Sequence, residues 1–110
     1  MKQFEVWLAN LNPSKGTMVG KTRPVLIVQT DLLNGFHPST IVCPLTTNIQ
    51  PGLEILRVHV GKKNLELPSD ILLDQIQAID NRRFIKKLGS IPHAQKRKVQ
   101  ENLKILMDLE

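Results

Sequence analysis

Helical periodicity is confined to one end of this chain. In the segment 92–109, PHAQKRKVQENLKILMDL, the apolar residues Val99, Leu103, Leu106 and Leu109 return at three- and four-residue steps, while Lys96, Arg97, Lys98, Gln100 and Lys104 fill much of the opposite face. Everything before it consists of short apolar runs, each cut off by proline, glycine or asparagine. A chain patterned this way must fold as short strands that bury one side of a bent sheet, with a single helix laid against them.

The runs can be placed in order. FEVWLANL at 4–11 alternates loosely, as a half-buried strand does, and NPSKG at 12–16 is a turn signal. The stretch from Gly16 to Arg23 carries two glycines and no periodicity, and reads as an exposed loop. PVLIVQ at 24–29 reads as a buried strand whose first residue is Pro24, a position that need not donate to a ladder. A loop with Asn34-Gly35 and His37-Pro38 precedes TIVCPL at 40–45, which ends in the polar patch Thr46-Thr47-Asn48. EILRVHV at 54–60 sets Ile55, Arg57 and His59 on one face and Leu56, Val58 and Val60 on the other. Pro68-Ser69-Asp70 then breaks the chain before a further strand, ILLDQIQAI at 71–79. DNRRF at 80–84 is expected to form one helical turn capped by Asp80, and 87–91 a last strand. These five or six strands and one helix predict a mainly β protein: a small antiparallel barrel or strongly bent sheet with a C-terminal helix, in a single domain over 1–110.

Several function classes drop out. No stretch approaches the roughly 20 apolar residues of a membrane span, and the opening MKQFEVWLANL lacks the unbroken apolar region of a signal peptide. A cytoplasmic protein is expected. A single cysteine, Cys43, allows no internal disulfide, and His37, His59 and His93 are scattered without metal-ligand spacing, so neither a metal nor a cofactor is expected. Cys43 lies mid-strand and reads as a small buried hydrophobe. The net charge of +5 points to a polyanionic partner, a nucleic acid or an acidic protein segment.

What remains for chemistry is a set of polar residues at strand ends. Arg23 closes the first loop, Thr46 and Thr47 end the 40–45 strand, and Asp74 with Gln75 interrupts an apolar strand. An arginine fork with two hydroxyls beside it suits a phosphate. The same residues also suit ordinary turns and strand ends.

The series VWLANLNPSKG, GKTRPVLIVQTD, IVCPLTT and ILLDQIQAID, collinear over nearly the whole chain, resembles the MazF/PemK (Kid) family of bacterial toxins. The resemblance implies an SH3-like barrel akin to that of the CcdB toxins, a homodimer, and a metal-independent endoribonuclease that cuts single-stranded RNA, chiefly mRNA. It further implies a cognate antitoxin whose acidic tail competes for the RNA groove. Arg23 and Thr46 match the family's catalytic arginine and threonine, and Asp74-Gln75 matches its acidic-Gln pair. Gly20, Lys21 and Thr22 in the loop, together with Phe36, Thr47 and Gln75, are the expected RNA contacts. The chain departs from the pattern at Thr17-Met18, where a glutamate is frequent, and at Leu72, where one branch carries an arginine.

In such a reaction the RNA's own 2′-hydroxyl is the nucleophile and the products are a 2′,3′-cyclic phosphate and a 5′-hydroxyl. Arg23 and the Thr46 hydroxyl would stabilise the phosphorane; arginine, always protonated, would serve as clamp or proton donor rather than base. Asp74 would serve as general base, or instead hold Arg23 or a backbone amide. His37 and His59 have suitable chemistry but match no family position. The rivals are a non-enzymatic CcdB-like toxin, whose Trp-Gly-Ile ending is replaced here by Met107-Asp108-Leu109-Glu110, and a plain SH3-like binding module.

Overall fold

The computed structural model describes residues 1–12, 16, 21–62 and 65–109. Among these residues, seven strands form one antiparallel sheet: β1 (Glu5–Asn10), β2 (Thr22–Ile27), β3 (Ser39–Thr46), β4 (Arg57–Val60), β5 (Ser69–Leu72), β6 (Gln77–Asp80) and β7 (Phe84–Ser90). They lie in the order β4-β5-β3-β2-β1-β7, with β6 also paired to β3. Helix α1 (His93–Leu106) follows. The expected antiparallel β-structure with a terminal helix is what the chain builds. No helix among the described residues is long and apolar enough to cross a membrane.

The uniform apolarity of the second strand has a simple origin. Leu26 packs into a core with Phe4, Val6, Leu45, Ile71 and Val99, whereas Val25 and Ile27 enter a second core with Ala9, Leu11, Val42 and Ile79. Both faces of β2 are therefore buried, which removes the usual alternation. The strand starts earlier than its apolar run does. Pairing with β1 extends it to Thr22 opposite Asn10 and Arg23 opposite Ala9, so Pro24 is its third residue and Arg23 belongs to the strand.

The expected single strand at 71–79 is two strands. Leu45 pairs with Ile71, and an unbroken partner would set Val42 opposite Asp74; Val42 instead faces Gln77, three residues later. The extra residues form a 3-10 turn, Leu73–Gln75. It drives Leu73 into the core, where its N–H donates to the Leu56 carbonyl at 2.9 Å, and leaves Asp74 exposed. A second shortening occurs at β4. Ile55 and Leu56 lie in a turn closed by the Arg57 N–H on the Leu53 carbonyl (2.9 Å), so only Arg57 to Val60 keep the expected alternation.

The turn after Asp80 forms as expected, its carboxylate accepting from the Arg82 N–H at 2.8 Å. Helix α1 buries Val99 and packs Leu103 and Leu106 on the sheet. Leu109 does not join that stripe and is 60% exposed. The helix has already ended: Asp108 takes a left-handed φ of 56°, and the Leu109 and Asp108 N–H groups bond back to the carbonyls of Lys104 (2.8 Å) and Ile105 (3.2 Å).

Candidate active site

The end of β2 is fixed from outside the strand. Lys21 sits at φ 67°, its N–H donating to Asn12 Oδ1 at 2.6 Å and its carbonyl accepting from the Leu11 N–H at 2.8 Å. Arg83 reinforces the same corner from β7's side, donating to the Asn10 carbonyl at 3.1 Å and also to that of Asn12. The chain thus enters β2 at a set angle, and the half-buried Arg23 comes two residues later.

Strand β3 carries the other half. Val25 pairs with Pro44, and two residues further out along both strands stand Arg23 and Thr46. The Arg23 guanidinium reaches the Leu45 carbonyl at 3.5 Å, the outer limit of a hydrogen bond. Thr46 is half-buried, and its hydroxyl oxygen accepts the Asn48 N–H at 3.1 Å. Thr47 follows, exposed, on the rim of a cavity of about 630 Å³ that Pro24, Leu67, Lys86 and Leu88 also line. Arginine, hydroxyl and cavity come from β2, β3 and β7, far apart in sequence.

The other expected residues are more scattered. Thr22 is exposed beside Lys21. Gly20, with Thr17 and Met18, lies outside the described residues. Asp74 and Gln75 occupy the 3-10 turn rather than a strand. Asp74 is near Cys43: burial pushes that thiol up to about 12, and the Asp74 charge adds to the effect. Cys43 is three residues from Thr46 along β3, about 10 Å in a strand. The half-buried Gln75 accepts from Gln77 Nε2 through its carbonyl at 3.4 Å.

Phe36 is 85% exposed, but it stands at the opposite end of the sheet. It belongs to the loop before Ser39, and Ser39 and Thr46 are the two ends of β3, about 23 Å apart in an extended strand. The loop has a built interior. Buried Gln29 donates to Asn34 Oδ1 at 2.9 Å, Asn34 Nδ2 donates to Asp31 Oδ1 at 2.9 Å, and the Gln3 N–H donates to the same carboxylate oxygen at 2.8 Å. Within one chain, Phe36 and the Arg23–Thr46 pair are not brought together.

Sequence reading passed over one group. Asp70, expected in a chain break, is a buried residue of β5 lying opposite Thr46 on one side and His59 on the other. Its carboxylate contacts Arg57 Nη1 at 3.3 Å and His59 Nδ1 at 3.0 Å. The available signal was the arginine and histidine at alternating positions 57 and 59, whose N–H groups suit a carboxylate on a neighbouring strand. Lys86 and Arg83 were likewise unmarked, though they add positive charge around Arg23's corner. Among the described residues, no three of the His, Cys, Asp and Glu side chains converge as metal ligands.

Comparison with known proteins follows the same outline. Residues 2–107 match the family model described as PemK-like, MazF-like toxin of type II toxin-antitoxin system. Endoribonuclease EndoA of Bacillus subtilis (strain 168) is 36% identical over 111 aligned residues, covering 99% of this chain and 96% of that protein. Among solved structures, MazF from Deinococcus radiodurans superposes with a TM-score of 0.87 at 23% identity, over 99% of this chain and 97% of that one. A mycobacterial endoribonuclease in complex with its cognate antitoxin superposes at 0.83 and 19% identity, over 100% and 97%. The two structural likenesses concern the fold.

Proposed function

Since the chain belongs to the family of PemK-like, MazF-like toxins of type II toxin–antitoxin systems, we propose that it is a metal-independent endoribonuclease cutting single-stranded RNA, mRNA above all, with Arg23 and Thr46 at the scissile phosphate. The observation that carries this reading is the meeting of the Arg23 guanidinium with the end of β3, 3.5 Å from the Leu45 carbonyl and next to Thr46.

In the proposed reaction the ribose 2′-hydroxyl oxygen attacks the adjacent phosphorus and the P–O5′ bond breaks. The 2′-hydroxyl gives up its proton and the departing O5′ gains one, leaving a 2′,3′-cyclic phosphate and a 5′-hydroxyl. Negative charge builds on the non-bridging oxygens. A guanidinium and a hydroxyl held in place before the reaction stabilise it without reorganising, and losing one such donor typically lowers kcat by about 10²–10³. Asp74, beside Cys43, would take the proton only from a nucleotide lying over that part of β3; Asp74→Asn tests the role. Lys21, Thr22 and Thr47 flank the pair and would hold neighbouring phosphates, as Gly20 would through its backbone and Gln75 through its amide. Phe36 would stack on a nucleotide well removed from the cleaved bond.

The net charge of +5 also suits a cognate antitoxin with an acidic tail, since a cationic groove made for RNA attracts an acidic peptide equally. A homodimer, acting in the cytoplasm, completes the proposal. Purified protein incubated with mixed-sequence RNA, with and without EDTA, is expected to yield fragments with 5′-hydroxyl ends in both cases. A folded Arg23→Ala protein that still cleaves at the full rate would overturn the assignment.

A further inference from the structure

The Thr46 hydroxyl is tied to a buried ion pair through one residue. Its oxygen accepts the Asn48 N–H at 3.1 Å, and the Asn48 carbonyl accepts Arg57 Nη1 at 2.8 Å. The same Nη1 lies 3.3 Å from Asp70 Oδ2, which also accepts the Gln50 N–H at 3.3 Å. The Arg57 and Asp70 side chains are only 16% and 5% exposed. Asp70 is itself paired with Thr46 across β3 and β5, so the ladder and the side-chain route close on each other.

A buried ion pair adds little net stability, because desolvation offsets the attraction; what it supplies is a fixed geometry. Here the fixed element is the turn 46–50, gripped at the Asn48 carbonyl and the Gln50 N–H. The consequence for Thr46 is chemical. A hydroxyl is one donor and two acceptors with a freely rotating proton. With the Asn48 N–H occupying one lone pair, the O–H cannot point at that N–H and keeps its proton for another acceptor.

We infer that Arg57 and Asp70 are positioning residues for the reaction, holding the 46–50 turn so that the Thr46 hydroxyl donates to a phosphoryl oxygen. This rests on the reading of Thr46 as a phosphate contact. Arg57 touches no reacting atom; it acts through Asn48.

Two readouts separate the positioning role from a merely structural one. Steady-state cleavage of a short RNA by Arg57→Gln is expected to show kcat reduced about 10- to 100-fold, the scale for misplacing a reacting group, with KM within about twofold, since the donor matters in the transition state. Arg57→Lys, which can still reach the Asn48 carbonyl, should recover part of the rate. On RNA-free protein, the Asn48 amide should exchange at least about tenfold faster in Arg57→Gln, because local opening becomes easier. An unchanged kcat in folded Arg57→Gln overturns the inference, and so does a lowered kcat with Asn48 exchange unchanged. If Arg57→Gln does not fold, Asp70→Asn is measured in the same way. Should wild-type protein leave RNA intact, the active-site reading fails, while the Asn48 exchange still decides whether Arg57 holds the turn.

Discussion

The Nη1 of Arg23 lies 3.5 Å from the carbonyl oxygen of Leu45, the residue before Thr46 in β3. A guanidinium aimed at that carbonyl is already at the strand end where Thr46 stands. Its backbone is constrained too, because Pro24 disfavours helical geometry at the preceding residue and Arg23 is paired with Ala9.

Arg23→Lys keeps the charge and loses the planar fork. Lysine presents a compact ammonium that cannot give two parallel bonds to a phosphate. Cleavage is expected to fall by at least about tenfold, with thermal stability unchanged, measured as initial rates and as the midpoint of a circular dichroism melt.

Lys21 already occupies a left-handed backbone conformation, φ 67°. In Lys21→Gly, relief of about 1 kcal/mol of strain is offset by a comparable entropic cost of glycine, so the melting temperature should hardly move. RNA affinity should weaken for all sequences alike, and the slope of log K against log salt should become shallower by about 0.7, the value for one phosphate contact to a single strand. A steeper slope or a sequence-selective loss would show that Lys21 does not contact phosphate.

Cys43 is fully buried and its thiol is pushed up to about 12 by burial, with the Asp74 charge adding to it. The thiolate is the reactive species, so native protein is expected to resist a disulfide-exchange reagent at pH 8 and to react at once in denaturant. Rapid native labelling would reveal an opening of the sheet around β3.

Burial raises the Glu5 carboxyl, but hydrogen bonds from Lys87, Trp7 and the Lys2 N–H outweigh it and bring the group from 4.5 to about 2. The folded state therefore favours the charged form. Its contribution to stability is complete above pH 4.5 and is lost as the pH falls toward 2. Glu5→Gln should flatten the fall in stability across that window, read from denaturant midpoints at each pH.

Leu26, the fifth of the six residues of β2, is fully buried. Leu26→Ala is expected to cost about 2–5 kcal/mol by lost transfer energy and the cavity left behind, with activity per folded molecule retained. A small loss would mean that the core collapses around the missing side chain.

How much of this was legible follows from what a sequence pattern reports. Apolar spacing records how each residue is buried along its own element. That was enough to place Val99, Leu103 and Leu106 on the helix, Val58 and Val60 on one side of β4, and the buried run after Arg23. The same pattern could not mark the ends of elements. Thr22 and Arg23 became strand because β1 lies beside them, and Leu109 fell outside the helix because Asp108 turns the chain.

By itself, then, the sequence determined most of the strands, the one helix among the described residues and the family of the chain, but not the turns at 54–56 and 73–75 or the early start of β2. Tertiary structure alone decided which groups meet. It set Arg23 against the end of β3, cut the 71–79 run with a three-residue turn that carries Asp74 toward Cys43, moved Phe36 to the far end of the sheet, and gave Asp70 its Arg57 and His59 partners. The physical reason is register. Cross-strand neighbours are chosen by how separate strands slide into alignment so that two cores are filled at once, and no local spacing in one strand encodes the offset of another.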